Sequence, residues 1–66
     1  MYLNLEAEIA RHQIKKPEMA AAIGKNYITL TQKISGKKPF FLEEALKIQE
    51  TFFPDLDIKY LFSRSA

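Results

Sequence analysis

Apolar residues recur at three- and four-residue intervals along this chain, and no run alternates apolar with polar as a half-buried strand would. The chain has no valine and seven alanines, which further favours helix. Five helices are predicted, near 4–12, 17–23, 27–35, 42–53 and 58–62, with a frayed tail at 63–66. Asn4 is positioned to cap the first, with Glu6 and Glu8 in its electropositive first turn and Leu5 and Ile9 on its inner face. Pro17 suits the opening of the second helix, whose apolar side is Ala20 and Ile23, and Gly24 suits its left-handed end. Asn26 caps the third helix and Gly36 stops it. The fourth is expected to bury a stripe of Leu42, Ala45, Leu46, Gln49, Phe52 and Phe53, with Pro54 closing it. Asp57 is then placed to cap the last.

Composition narrows the class. Sixty-six residues suffice for one small domain, and 47% hydrophobic content can supply its core. With no cysteine and a single histidine, His12, neither a disulfide framework nor a zinc site can staple it, so no metal or cofactor is expected. The longest uncharged apolar run is Met19 to Gly24, far short of the ~20 residues that span a bilayer. The N-terminal segment lacks the basic-then-apolar order of a signal peptide. A soluble, cytoplasmic domain is expected.

The net charge of +2 conceals a segregation. Residues 11–38 carry Arg11, Lys15, Lys16, Lys25, Lys33, Lys37 and Lys38 against Glu18 alone, whereas the flanking segments are each net acidic. A basic middle between acidic ends is the pattern of a polyanion-facing surface.

Catalytic chemistry finds little support. Glu43 and Glu44 are adjacent and so diverge by about 100° on a helix. Asp55 and Asp57 flank a helix start, where capping is the ordinary role. His12 lacks a nucleophile or orienting acid at motif spacing, and two glycines make no phosphate loop. The protein is not expected to be an enzyme, nor does a small-molecule ligand suggest itself.

The second and third helices are the specific part. Ala20 is a small residue where two helices would cross, Gly24 tolerates the turn, Asn26 caps, and Leu30 and Ile34 hold the crossing. In the run EMAAAIGKNYITLTQKISGK, and in the Leu-x-x-Ala-Leu-x-Ile pattern of FFLEEALKIQETFFPDLDIKYLF, the chain resembles the phage repressor/Cro-type (xenobiotic-response-element-type) helix-turn-helix family, over roughly Leu5 to Phe62. Two positions depart from the family pattern: Lys25 follows the turn glycine where an apolar residue is usual, and Phe41 stands at the fourth helix's cap where Ser or Thr is usual. The resemblance implies an all-α, compact five-helix repressor-like domain with a central helix-turn-helix. It also implies a sequence-specific transcriptional regulator of double-stranded DNA.

A wheel of the third helix sets Leu30 and Ile34 on one side and Ile28, Thr31, Gln32 and Ser35 on the other, with Tyr27 at the edge. Gln32 can pair with adenine, Thr31 with either base type, and Ile28 can touch a thymine methyl. By the resemblance, Asn26, Tyr27, Ile28, Thr31 and Gln32 are the expected base readers, and Lys16, Ser35, Lys37 and Lys38 the expected phosphate contacts. Each has a plainer role open to it, as a cap, a packed side chain or a solvated surface residue. The surplus of aromatics suggests a homodimer through Phe53, Tyr60 and Phe62. Two alternatives stay open: a protein-interaction module of antitoxin or anti-repressor kind on the same fold, and a non-specific nucleic-acid binder.

Overall fold

A computed structural model of the chain describes residues 1–64. They form five helices: α1 (Leu3–Arg11), α2 (Lys16–Ala22), α3 (Tyr27–Ser35), α4 (Leu42–Phe52) and α5 (Ile58–Leu61), with no strand among the described residues. Extents of 26 × 24 × 21 Å show the helices wrapping one core rather than extending as an array. Among the described residues no helix is long and apolar enough to cross a membrane.

Burial of an aromatic ring, not a capping side chain, sets the start of α1. Tyr2 holds the cap position, its N–H donating to the Ile34 carbonyl at 3.1 Å and its ring packing edge-on to Phe40 and Phe62. Asn4 therefore lies inside the helix and does not cap it. Its amide instead donates to the Tyr60 carbonyl at 2.9 Å, tying α1 to α5.

The ends of α1, α2 and α3 share one device. After α1, Gln13 adopts a positive φ of 54°, and the Ile14 N–H reaches back to Ile9 O. Gly24 (φ 70°) and Gly36 (φ 94°) take the same place after α2 and α3, with Lys25 N–H donating to Ala20 O and Lys37 N–H to Gln32 O, each at 2.9 Å. This pairing satisfies helix carbonyls that would otherwise lack partners and turns the chain sharply. Because Lys25 contributes its backbone to the closure, its side chain is free to point outward.

The core gathers Leu5 and Ile9 from α1, Met19 and Ala20 from α2, Leu30 and Ile34 from α3, Ile48 from α4 and Leu61 from α5, with Tyr2 and Phe53 from the connecting segments. In α4 the observed inner face is rotated from the expected stripe. Ala45, Ile48 and Glu44 are buried, whereas Leu42 (71% exposed) and Leu46 (39%) face outward. The rotation follows from Glu44, whose Oε1 accepts from the Phe41 N–H at 3.0 Å and from Lys33 Nζ at 2.7 Å, drawing that side of the helix inward. Phe41 has no side-chain acceptor with which to return the bond, so the helix start depends on Glu44 alone.

The chain after α4 is drawn together by Gln49, whose Nε2 lies 3.2, 3.3 and 3.1 Å from the carbonyls of Phe53, Pro54 and Leu56. Asp57 stands at the cap position of α5 but its side chain makes no capping bond. Of the three residues expected to associate, Phe53 is buried and Phe62 half-buried, while Tyr60 stays 38% exposed. Phe53 is 1% exposed, and Phe62 packs on Tyr2 and Phe40. Tyr60 donates its hydroxyl to Glu8 Oε2 at 2.7 Å. A core this thin needs these aromatics, so Phe53 has no surface left to offer a partner. The described start of the expected tail, Ser63 and Arg64, carries no helix, and the Arg64 guanidinium lies 5.5 Å from the Tyr2 ring; residues 65–66 lie outside the described residues.

The side chain of Asn26 caps α3, accepting from the Thr29 N–H at 2.7 Å. Replacing it with Ala removes that acceptor and is expected to cost about 1 kcal/mol, as helix caps do. In a domain of this size that lowers Tm by about 4–8 °C, measurable by thermal unfolding followed by far-UV circular dichroism.

Candidate nucleic-acid interface

The third helix is anchored from within and free on its outer side. α2 and α3 pack against each other, with Met19 and Ala20 of α2 and Leu30 and Ile34 of α3 all in the core. Lys33 completes the inner face of α3 and is only 4% exposed. Its ammonium bonds Glu44 Oε1 at 2.7 Å and the Pro39 carbonyl at 3.0 Å, and stands 4.5 Å from the centre of the Phe41 ring. Burial works to raise the Glu44 pKa. The hydrogen bonds from Lys33 and from the Phe41 N–H, with the Lys33 charge, outweigh it and hold the carboxyl below its ordinary 4.5.

The outer side of α3 groups the side chains picked out by the wheel. Ile28 is 65% exposed and Tyr27 50%, Asn26 and Ser35 are exposed, and Thr31 and Gln32 are half-buried. Two hydroxyls on this side are committed to the helix itself: Thr31 Oγ1 donates to the Ile28 carbonyl at 2.8 Å and Ser35 Oγ to the Gln32 carbonyl at 3.0 Å. Ser35 must therefore release that hydrogen to serve an anion. The Gln32 amide makes no side-chain hydrogen bond among the described residues, so both its donor and its acceptor are free to face a ligand.

The basic segment resolves into two groups. Arg11 bonds Glu8 at 2.7 Å, Lys16 lies 2.9 Å from Glu6, and Lys33 is buried on Glu44. The carboxylate partners all lie outside residues 11–38, where their acidity had looked like a separate feature of the chain. Lys15, Lys25, Lys37 and Lys38 are exposed, and none has a carboxylate within ion-pairing distance among the described residues. Lys25 directly precedes the α3 cap, and Lys37 and Lys38 directly follow its glycine. Free cations thus bracket both ends of a helix whose outer face is uncharged. Lys25 was not among the site residues singled out from the sequence; the structure shows it as an exposed cation beside the α3 cap, and its position next to Asn26 was the available signal.

A second polar cluster ties α1 to α5. The Glu8 carboxylate, 2% exposed as a residue, accepts from Arg11 and from the Tyr60 hydroxyl, and His12 Nε2 lies 3.3 Å from its other oxygen without a hydrogen bond. Hydrogen bonding to Glu8, aided by burial, raises the Tyr60 pKa, so this hydroxyl is a weaker acid than a free tyrosine and no better a nucleophile. A cavity of about 190 Å³ between α2 and α4 is lined by Ala22, Ile23, Glu43, Glu44 and Lys47. It is smaller than the roughly 300–1,000 Å³ of most small-molecule sites.

Comparison with family models, with curated proteins and with solved structures returns no match.

Proposed function

We propose that this chain is a sequence-specific DNA-binding regulator of the repressor/Cro type, in which α2 and α3 form a helix-turn-helix and α3 enters the major groove. The observation that carries this reading is the outer side of α3: an uncharged face centred on Ile28 and Gln32, with unpaired lysines at both ends of the helix. An α-helix, about 10–12 Å across with its side chains, fits a groove about 12 Å wide. In this placement Lys25, before the nine residues of α3, and Lys37 and Lys38, after them, meet the phosphates that flank the groove.

Asn26, Tyr27, Ile28, Thr31 and Gln32 then face base edges, and Lys25, Lys37 and Lys38 fix register on the backbone without reading sequence. Lys16 takes part only by leaving Glu6, and Ser35 only by releasing the Gln32 carbonyl. A repressor of this kind acts by occupying its site, and catalysis has no part in it.

Selection of bound sequences from a random duplex pool tests the proposal. A regulator yields a defined site and keeps a large preference for it at physiological salt, whereas a charge-only binder loses that preference. Within the selected site, Gln32→Ala is expected to cost about 1–3 kcal/mol and to leave affinity for random duplex unchanged. Equal losses on both would remove Gln32 from base reading.

A second reading draws on Phe41, Leu42 and Leu46, which leave an apolar patch at the start of α4 exposed. If the chain is a protein-interaction module, that patch takes the partner, and duplex selection enriches nothing.

A further inference from the structure

Three features of the outer side of α3, taken together, restrict what it can read. First, it carries no cation. Lys33, the only basic residue within the helix, is turned inward onto Glu44, and the arginines lie elsewhere, on α1 and after α5. Second, the hydroxyls of Thr31 and Ser35 direct their hydrogens at the Ile28 and Gln32 carbonyls, so both present only lone pairs to a groove. Third, the most exposed large hydrophobic side chain of the helix is aliphatic: Ile28 is 65% exposed, one turn ahead of Gln32. The donors left are neutral, the amides of Asn26 and Gln32 and the Tyr27 phenol.

Each base pair presents its own pattern in the major groove. Guanine offers two acceptors, N7 and O6, met most often by the paired donors of Arg or Lys, whereas adenine offers one acceptor beside one donor, and thymine a carbonyl beside a C5-methyl. A face of neutral amides, lone pairs and an exposed aliphatic group is mismatched to guanine. It matches an amide-to-adenine pair with a methyl group close by.

We infer that Ile28 is a specificity-determining residue of this helix beside Gln32, that it reads a pyrimidine C5-methyl group, and that the methyl is that of thymine in an A·T pair next to the adenine bound by Gln32. The inference rests on the DNA-binding reading. A 5-methylcytosine carries the same methyl at the same place. It comes paired with guanine, however, and the face lacks a cation for that base, so thymine is the favoured source.

The test uses the full chain and the duplex it selects. Each thymine of the selected site is replaced in turn by deoxyuridine, which removes only the methyl, and affinity is measured by fluorescence anisotropy at fixed salt. At one or two positions the loss is expected to be roughly fourfold, the value of one buried methyl. Ile28→Ala, exposed and so without consequence for the core, should abolish that loss, binding thymine and uracil duplexes equally. A third arm places 5-methylcytosine or cytosine, each paired with guanine, at the sensitive position. Both bind more weakly than thymine if thymine is the source, and a methylcytosine duplex that binds as well as the thymine duplex overturns that assignment. If the protein binds its selected site but no deoxyuridine position matters, or if the loss persists in Ile28→Ala, the inference falls and the regulator reading stands. Failure to select any site overturns both.

Discussion

Replacing Glu44 with Ala is expected to abolish cooperative folding at 25 °C or to leave the domain at its edge. Lys33 is buried, and its ammonium depends on Glu44 Oε1 at 2.7 Å, with only the Pro39 carbonyl and the face of Phe41 as further partners. Removing one member of a buried pair strands the other charge away from water, at a cost of about 3–5 kcal/mol. A 66-residue domain has a total stability of about 3–10 kcal/mol by the usual per-residue range, so the loss takes from about a third of it to all of it, and a core this thin lies toward the lower end. Glu44 also takes the Phe41 N–H, so the start of α4 loosens as well.

The pair is nevertheless not an optimal way to fill this space. Glu44 Oε1 receives both donors while Oε2 is buried with no hydrogen-bond partner among the described residues. Replacing both residues with apolar ones of similar size, Lys33→Met with Glu44→Leu, should therefore recover most of the stability lost by Glu44→Ala, because neither charge is left behind. Urea unfolding followed by circular dichroism separates the cases. A single variant whose midpoint matches the parent would show that the pair contributes nothing.

The same pair gives the domain an acid limit. Glu44 has a folded-state pKa below its ordinary 4.5, so its contribution is fully present above that value and is lost as pH falls through the folded pKa. Stability of the parent should decline in that acid range. Glu44→Gln, which cannot titrate, should start lower and decline less steeply over it.

What was legible in the sequence was the part encoded locally. The Asn26 cap, the glycines that end α2 and α3, and the Leu5–Ile9 and Leu30–Ile34 pairs each depend on residues within a turn or two of one another. What was not legible depended on packing between distant segments. The rotation of α4 follows from a lysine eleven residues upstream, and α1 starts at Tyr2 because rings from positions 40 and 62 enclose it. A count of aromatics gives the supply of large rings but not which way they face, so Phe53 looked available for association when the core needed it. At the candidate site, the exposure of Ile28 followed from a wheel of α3 alone. The silence of Arg11, Lys16 and Lys33 did not, because their partners Glu8, Glu6 and Glu44 lie outside the basic segment.

That division of the cations sets the second large effect. Alanine at Lys25, Lys37 and Lys38 together is expected to lower affinity for every duplex on the order of 10²-fold at physiological salt. Each phosphate that is no longer neutralised takes about 0.9 from the slope of log affinity against log salt concentration, so the three lysines together account for about 2.7. The ratio between selected and random sequence should survive, because the lysines position the helix on the backbone without distinguishing bases. Fold stability should be little affected, since these side chains are exposed and have no carboxylate partner among the described residues. Lys16→Ala and Arg11→Ala supply the contrast. Both side chains are already held by carboxylates, at 2.9 and 2.7 Å, and their removal should change the slope by much less than a full unit. Equal slope changes for paired and unpaired residues would mean that the whole basic segment acts by net charge and that α3 has no preferred placement on DNA. A slope shift confined to these three free lysines would fix the orientation of α3, with Lys25 at one wall of the groove and Lys37 and Lys38 at the other.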